Sequence, residues 1–210
     1  ATARVDRGMK LVVVDPVGNN AAAKADEWLP IRPGTDAAFG LGMLHVLLNE
    51  ARIFDAEFLA RRTNAGYLVG SDRRYVRDPE RRQPLLFDLD SGTAKTHDDA
   101  SLGAVALEGE FEVGGQLVKP AFQLLRERVA EYPPEVVESV TSIPAARLRR
   151  IAREFGEAAQ IGATITIDGV ELPYRPVCLN WCRGPQGHKH AWHHTWALQL
   201  VNVVVGCINV

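Results

Sequence analysis

Three consecutive valines, set in Lys10-Leu-Val-Val-Val-Asp15 and halted by Pro16, constrain this chain more than any other stretch. β-Branched side chains are stiff at χ1 and suit the pleated strand. An apolar run with no polar residue at alternate positions predicts a strand covered on both faces, as in a parallel sheet flanked by helices. Ligands of such sheets sit outside the carboxyl ends of the strands, so Asp15 is expected to face a crevice. Asn20 to Ala25 predicts a short helix, and Trp28-Leu-Pro-Ile31 a second extended run before the turn Arg32-Pro-Gly-Thr35. Asp36 is placed to cap a helix from Ala37 to about Ala51. That helix is apolar almost all round, through Phe39, Leu41, Met43, Leu44, Val46, Leu47 and Leu48, and is expected to be internal, with Gly40 and Gly42 permitting close packing. Asp55 opens another helix, ending near Thr63-Asn64.

From Gly66 to Val118 short apolar pieces alternate with Gly, Asp and Pro, which predicts an irregular β-rich insertion of hairpins, one turning at Gly114-Gly115. Helices are then expected from Ala121 to Glu131, from Pro134, and from Pro144 to Phe155. Thr164 to Leu172 predicts a hairpin around Asp168-Gly169, and Val177 to Trp181 another buried strand. A glycine loop, Arg183-Gly-Pro-Gln-Gly187, precedes an apolar helix from about Ala191 to Val205. The pattern describes an α/β protein with an open, mostly parallel sheet flanked by helices. Its expected parts are residues 1–65, the first part of a nucleotide-binding domain, 66–118, the insertion, and 119–210, a helical segment with the rest of the α/β domain.

Charge excludes some functions: 24 Lys+Arg against 26 Asp+Glu leave no basic field for nucleic acid or an anionic membrane. No apolar run reaches the roughly 20 residues of a membrane span, so no direct membrane insertion is expected. Three cysteines in 210 residues are no disulfide scaffold, and they assign no compartment. Ala1 to Gly8 reads as the tail of a surface helix stopped by Gly8, cut from something longer.

Three places could carry chemistry. Asp15, with Pro16, could accept hydrogen bonds from ribose hydroxyls at the strand end while Gly34, Thr35 and Asp36 bring amides, a hydroxyl and a carboxylate to the same crevice; alternatively Asp15 merely ends a strand and Asp36 caps a helix. His188, His190, His193 and His194 are four of six histidines. His190 and His194, one helical turn apart, could grip a metal with His188, or the cluster could line a pocket or subunit contact beside Trp192 and Trp196. His-x-x-x-His lacks the intervening glutamate of a metalloprotease, and no metal ligand is assigned. Cys178 and Cys182 fit neither a redox nor a metal motif and are read as buried small hydrophobes. The arginines from Arg147 to Arg153 read as a solvated face.

Leu11-Val-Val-Val-Asp-Pro16, Ala25-Asp-Glu-Trp-Leu-Pro-Ile-Arg-Pro-Gly-Thr-Asp-Ala37, Asp55-Ala-Glu-Phe-Leu59 with Thr63-Asn64, and Ile143-Pro-Ala-Ala-Arg-Leu-Arg-Arg-Ile-Ala-Arg-Glu-Phe155 together resemble a domain of the molybdopterin oxidoreductases of the dimethyl sulfoxide reductase family. The resemblance covers essentially the whole chain. Leu86-Phe-Asp-Leu-Asp-Ser-Gly92 with Lys119-Pro-Ala-Phe-Gln-Leu-Leu125 is most similar to the branch of thiosulfate and polysulfide reductases and acetylene hydratase.

The resemblance implies a Rossmann-like internal domain of a catalytic subunit, in a cytoplasmic or periplasmic prokaryotic enzyme. The parent's cofactor would be a molybdenum or tungsten ion held by two molybdopterin guanine dinucleotides, and this domain would bind the guanosine end of one. Asp15 and Pro16 would meet the nucleotide, and Gly34, Thr35 and Asp36 would hold guanine and ribose. Arg183, Gly184 and Gln186 would approach the pterin. Val17 stands where the family usually has arginine, and Pro185-Gln-Gly-His188 where it often has an Asn-Gln-His-like string. The metal's protein ligand, the [4Fe-4S] segment and the domain clamping the second dinucleotide would lie elsewhere in the parent. The implied partners are those domains and an iron–sulfur electron-transfer subunit, and the chain alone is expected to be inactive. Two other readings remain: a freestanding guanine-nucleotide-binding module, although no Gly-x-x-x-x-Gly-Lys-Ser/Thr loop is present, and a metal-dependent enzyme built on the histidines.

Overall fold

The computed structural model describes residues 2–208. Helix α1 (Thr2–Arg7) closes at Gly8, whose φ of +64° suits glycine. The valine run becomes β1 (Val12–Val14) and pairs in parallel with β2 (Glu27–Leu29), Val13 opposite Trp28. The chain divides into two compact units, one made of Ala1–Arg52, Tyr132–Gly156 and Val177–Asn202, the other of Ile53–Glu131, Glu157–Pro176 and Val203–Val210.

In the first unit α2 (Asp36–His45) runs on through a wider π turn, Val46–Glu50, where the Ala51 amide donates to the Val46 carbonyl at 2.8 Å. Phe39, Met43, Leu44, Val46, Leu47 and Leu48 are buried, as the all-round apolar pattern requires. α2 packs on α5 (Pro134–Thr141) and on α6 (Ala145–Ala158): a β-carbon on Gly42 would stand 2.7 Å from Leu148 Cδ2 and 2.9 Å from Val137 Cγ2. Glu138 on α5 accepts from the Ala145 amide at 3.0 Å and so caps α6. The arginines of α6 lie on a partly solvated face, as expected, and are paired there as well. Acids from other elements converge on that face: Arg147 and Arg150 hold Glu27 at 2.9 and 2.6 Å, and Arg149 spans Glu50 and Glu135 at 2.9 and 2.6 Å. Burial opposes the charge on Glu27, but Arg150 and Arg147 outweigh it and its carboxyl titrates below the ordinary value.

The α/β class holds, but parallel pairing, expected to dominate, is confined among the described residues to β1 and β2. β1 is therefore half-buried rather than enclosed. Val177–Trp181 forms no strand, and at Leu179 a side chain takes the backbone groups that a neighbouring strand would use. Asn202 Oδ1 accepts from the Leu179 amide and Nδ2 donates to the Leu179 carbonyl, both at 2.8 Å. Cys178 and Cys182 consequently are exposed rather than buried.

In the second unit Asp55 caps α3 (Ala56–Arg62), accepting from the Phe58 amide at 3.0 Å as its position predicts. The irregular β-rich stretch is antiparallel throughout: β3 (Leu68–Val69), β7 (Gln116–Pro120) and β6 (Phe111–Val113) form one sheet, and β4 (Leu85–Asp88) pairs with β5 (Thr93–Thr96). Pro120 leads into α4 (Ala121–Val129). β8 (Thr164–Ile167) and β9 (Val170–Pro173) make the expected hairpin. Gly114 and Gly115 turn β6 into β7 at φ +60° and +75°, and Asp168 and Gly169 turn β8 into β9 at +52° and +81°. Two-residue turns with both φ positive match the right-handed twist of the strands. Leu68, Leu85 and Val118 form a core on which Phe87 and Phe111 stack, centroids 3.8 Å apart. Among the described residues no helix is long and apolar enough to cross a membrane.

Asp88, fully buried at the end of β4, accepts from Lys95 Nζ at 2.5 Å and from Ser91 Oγ at 2.8 Å. Lys95 above all, then Ser91 and the Asp90 and Gly103 amides, hold its carboxyl far below the usual range despite burial. A carboxylate whose folded pKa is depressed adds stability that is complete above its unfolded pKa and lost as pH falls toward the folded one. Unfolding by urea is therefore expected to become easier below about pH 4. Asp88→Asn should flatten that dependence; a slope unchanged by the substitution would refute the assignment.

Candidate cofactor-binding site

Because β1 and β2 run parallel, the loops that follow them leave from one edge of the pair. Asp15 follows β1. Its Oδ1 accepts from the Val17 amide and its Oδ2 from Asn19 Nδ2, both at 2.8 Å, closing an Asx turn. Each oxygen retains a lone pair for a ligand hydroxyl. Trp28 Nε1 donates to the Asp15 carbonyl at 2.8 Å, and a β-carbon on Gly18 would stand 3.3 Å from the indole, so this ring braces the loop. Pro16 is exposed beside it.

The loop after β2 is held from below by α5, where the Arg32 amide donates to the Thr141 carbonyl at 2.9 Å. Thr35 Oγ1 donates to the Arg32 carbonyl at 2.6 Å, so the expected hydroxyl is engaged within its own loop. Thr35 is also the N-cap of α2. Asp36, expected to be the cap, is instead the first helical residue, because the turn closes one residue earlier than its sequence suggests. Its carboxylate is thus not committed to capping. What faces it is His194: Asp36 Oδ2 lies 3.4 Å from His194 Nδ1, on α8 (Ala191–Val204). His194 is only 5% exposed, and its Nδ1 has no hydrogen-bond partner. A buried nitrogen left without a partner costs about 1–3 kcal/mol, so a ligand or neighbouring group that satisfied it would be favoured there.

Gly34 completes the contact. Its φ is +76°, and a β-carbon there would stand 3.4 Å from His188 Nδ1. The His188 and His194 rings lie 6.2 Å apart. α2 and α8 meet at Gly40, where a β-carbon would come within 2.9 Å of the Ala197 carbonyl carbon. Asp36 and Gly40 share one face of α2, and His194 and Ala197 one face of α8, so the same crossing that demands glycine delivers the histidine to the carboxylate.

Arg183, Gly184 and Gln186 form one helical turn, α7 (Arg183–Gln186), rather than an irregular loop, and all three are exposed. Among the described residues no hydrogen bond or ion pair ties their side chains to Asp15 or to the loop after β2. The histidines divide as well. His194 is buried while His190 is exposed and set against His193, ring centroids 5.7 Å apart, and Trp192 sets its edge on Trp196 at 5.3 Å. Among the described residues no three His, Cys, Asp or Glu side chains are arranged to hold a metal.

No family model matches the chain. It is, however, 32% identical to a sulfite dehydrogenase subunit of Allochromatium vinosum, over 97% of this chain and 23% of that protein. To a perchlorate reductase subunit of Dechloromonas aromatica it is 30% identical, over 72% of this chain and 21% of that one. The chain belongs to the molybdopterin oxidoreductases of the dimethyl sulfoxide reductase family. A solved structure, acetylene hydratase from Pelobacter acetylenicus, shares its fold, with a TM-score of 0.59 and 24% identity over 99% of this chain and 19% of that one. This molybdopterin oxidoreductase chain spans less than a quarter of the length of each of these relatives. Within it, Trp28 is a candidate-site residue that sequence reasoning does not single out, and His194 is one it names only within a metal-gripping cluster, not as the partner of Asp36. Trp28 leaves no local signal beyond Gly18 across the loop, and His194 is indistinguishable in sequence from the rest of the histidine cluster.

Proposed function

We propose that this chain is a domain of the catalytic subunit of a molybdopterin-dependent oxidoreductase, and that it holds the guanosine end of one molybdopterin guanine dinucleotide. One observation carries the reading: Asp36, free of the capping role, presents a carboxylate 3.4 Å from a buried, unpartnered His194 Nδ1 beside a glycine loop. Guanine offers N1–H and a 2-amino group side by side, and a single carboxylate accepts both. These residues fit that base. Gly34 lets backbone approach the ligand, while Asp15, braced by Trp28, would take a ribose hydroxyl. Arg183, Gly184 and Gln186 would serve the pterin end. When bound, the metal and its dithiolenes supply the redox chemistry; the chain's own residues bind and orient. The parent would pass electrons between its substrate and an iron–sulfur relay, in the branch of the thiosulfate and polysulfide reductases and acetylene hydratase. Residues 66–118 would be an insertion in this domain. The isolated chain is expected to show no turnover with any acceptor.

The reading is tested by titrating GDP and ADP into the 210-residue chain by calorimetry. GDP is expected to bind more tightly by about 1–3 kcal/mol, because adenine would leave the carboxylate desolvated and poorly matched. Asp36→Asn should erase the difference with little change in unfolding midpoint, since the residue is not a cap. Equal binding by the unaltered chain, or a GDP preference that survives Asp36→Asn, would refute it.

A further inference from the structure

His194 differs from its neighbours. His188, His190 and His193 are exposed, whereas His194 is 5% exposed and its Nδ1 has no hydrogen-bond partner. Packing alone does not explain an imidazole here, because a phenylalanine would fill the same volume without stranding a polar nitrogen. The nitrogen faces one oxygen, Asp36 Oδ2, at 3.4 Å. It is held there by helix crossing rather than by its own flexibility, since Gly40 seats α2 against the α8 backbone at Ala197.

We propose that His194 is a positioning residue for base recognition: its Nδ1–H donates to Asp36 Oδ2 from behind and fixes the plane in which the carboxylate meets the paired donors of guanine. The proposal rests on the guanosine reading of Asp36. A lone aspartate rotates broadly about χ2, and a bidentate contact uses only the orientation in which both oxygens lie along the base edge. A donor fixed on α8 selects that orientation before the base arrives, and the carboxylate oxygen, with two lone pairs, accepts from imidazole and base together. Either the Nδ1–H tautomer or the imidazolium supplies the proton. At 3.4 Å the two groups stand a small side-chain adjustment from a hydrogen bond, within reach before any ligand is bound.

The test uses the full 210-residue chain, two substitutions and two readouts. His194→Phe keeps the volume and removes the donor; His194→Asn places an amide N–H near the Nδ1 position. The GDP-to-ADP affinity ratio is expected to fall by about tenfold or more in His194→Phe, the equivalent of one hydrogen bond to a charged group, and to recover in His194→Asn. Independently, the 15N resonance of His194 Nδ1 in the nucleotide-free chain should shift on Asp36→Asn. A ratio undiminished in His194→Phe, a loss that His194→Asn does not restore, or an Nδ1 resonance indifferent to Asp36→Asn overturns the proposal and leaves the guanosine reading standing. Equal GDP and ADP binding by the unaltered chain overturns that reading and this proposal with it.

Discussion

Arg175→Ala is expected to cost about 3–5 kcal/mol of folding stability, the range for removing one partner of a buried ion pair. Within the second unit the guanidinium reaches Asp55 Oδ2 through Nε and Nη2, at 3.2 and 2.7 Å, with side chains only 7% and 9% exposed. Its Nη1 donates to the Ala163 and Tyr174 carbonyls at 3.0 and 2.9 Å, binding the stem of the β8–β9 hairpin. Asp55 in turn caps α3, and its amide donates to the Val204 carbonyl at 2.8 Å. Gly206, at φ +72°, sits so close that a β-carbon would fall 2.7 Å from Asp55 Oδ2. Truncating Arg175 leaves a buried carboxylate with only the helix amide to solvate it. Removing both charges together, Asp55→Asn with Arg175→Met, should recover much of the loss, because a pair replaced by neutral groups leaves no charge behind. Urea unfolding of the three proteins decides. A loss below about 1 kcal/mol for Arg175→Ala would place the pair with exposed ion pairs instead.

That ion pair also shows where reading the sequence stops. Signals that act within a few residues are legible: the cap at Asp55, the turns at Gly114-Gly115 and Asp168-Gly169, the stop at Gly8, and the all-round burial of α2. Each depends on local backbone geometry or on helical period. Arg175 and Asp55 are 120 positions apart, and nothing near either names the other. The pairing of the α6 arginines is illegible for a related reason: interleaved charge implies solvent, which these side chains do meet, but not that Glu27, Glu50 and Glu135 will be brought to the same face. Val177–Trp181 has strand composition, yet strand formation needs a partner, and Asn202 reaches Leu179 instead. At the candidate site, the loops containing Asp15 and Gly34 to Asp36 stand out in the sequence, and a binding role is proposed for them. The one-residue shift that frees Asp36 from capping is not legible, because Thr35 and Asp36 are both good caps and nothing in the local sequence ranks one above the other.

Gly40→Val should weaken both the fold and the site, and the glycine contacts set the order of effects. A β-carbon at Gly40 would lie 2.9 Å from the Ala197 carbonyl carbon, 3.1 Å from its oxygen and 3.1 Å from the Leu198 nitrogen. All three are backbone atoms of a helix, so relief requires α8 to move as a body. At Gly42 the nearest atoms are side-chain carbons of Leu148 and Val137 rather than backbone, so relief needs only local repacking, although Val137 is stiff at χ1. Overpacking of this kind costs about 1–3 kcal/mol, while exchanging glycine for a better helix former returns about 1 kcal/mol at most. Gly40→Val is therefore expected at the upper part of that range, and Gly42→Ala at the lower part of it. The second consequence distinguishes this site from an ordinary packing defect. A displaced α8 carries His194 away from Asp36, so the GDP preference should decline in Gly40→Val and persist in Gly42→Ala, measured at temperatures where both proteins remain folded. A Gly40→Val protein as stable as the original would show that the crossing yields. Full stability loss with an intact GDP preference would show that Asp36 reads its ligand without help from α8.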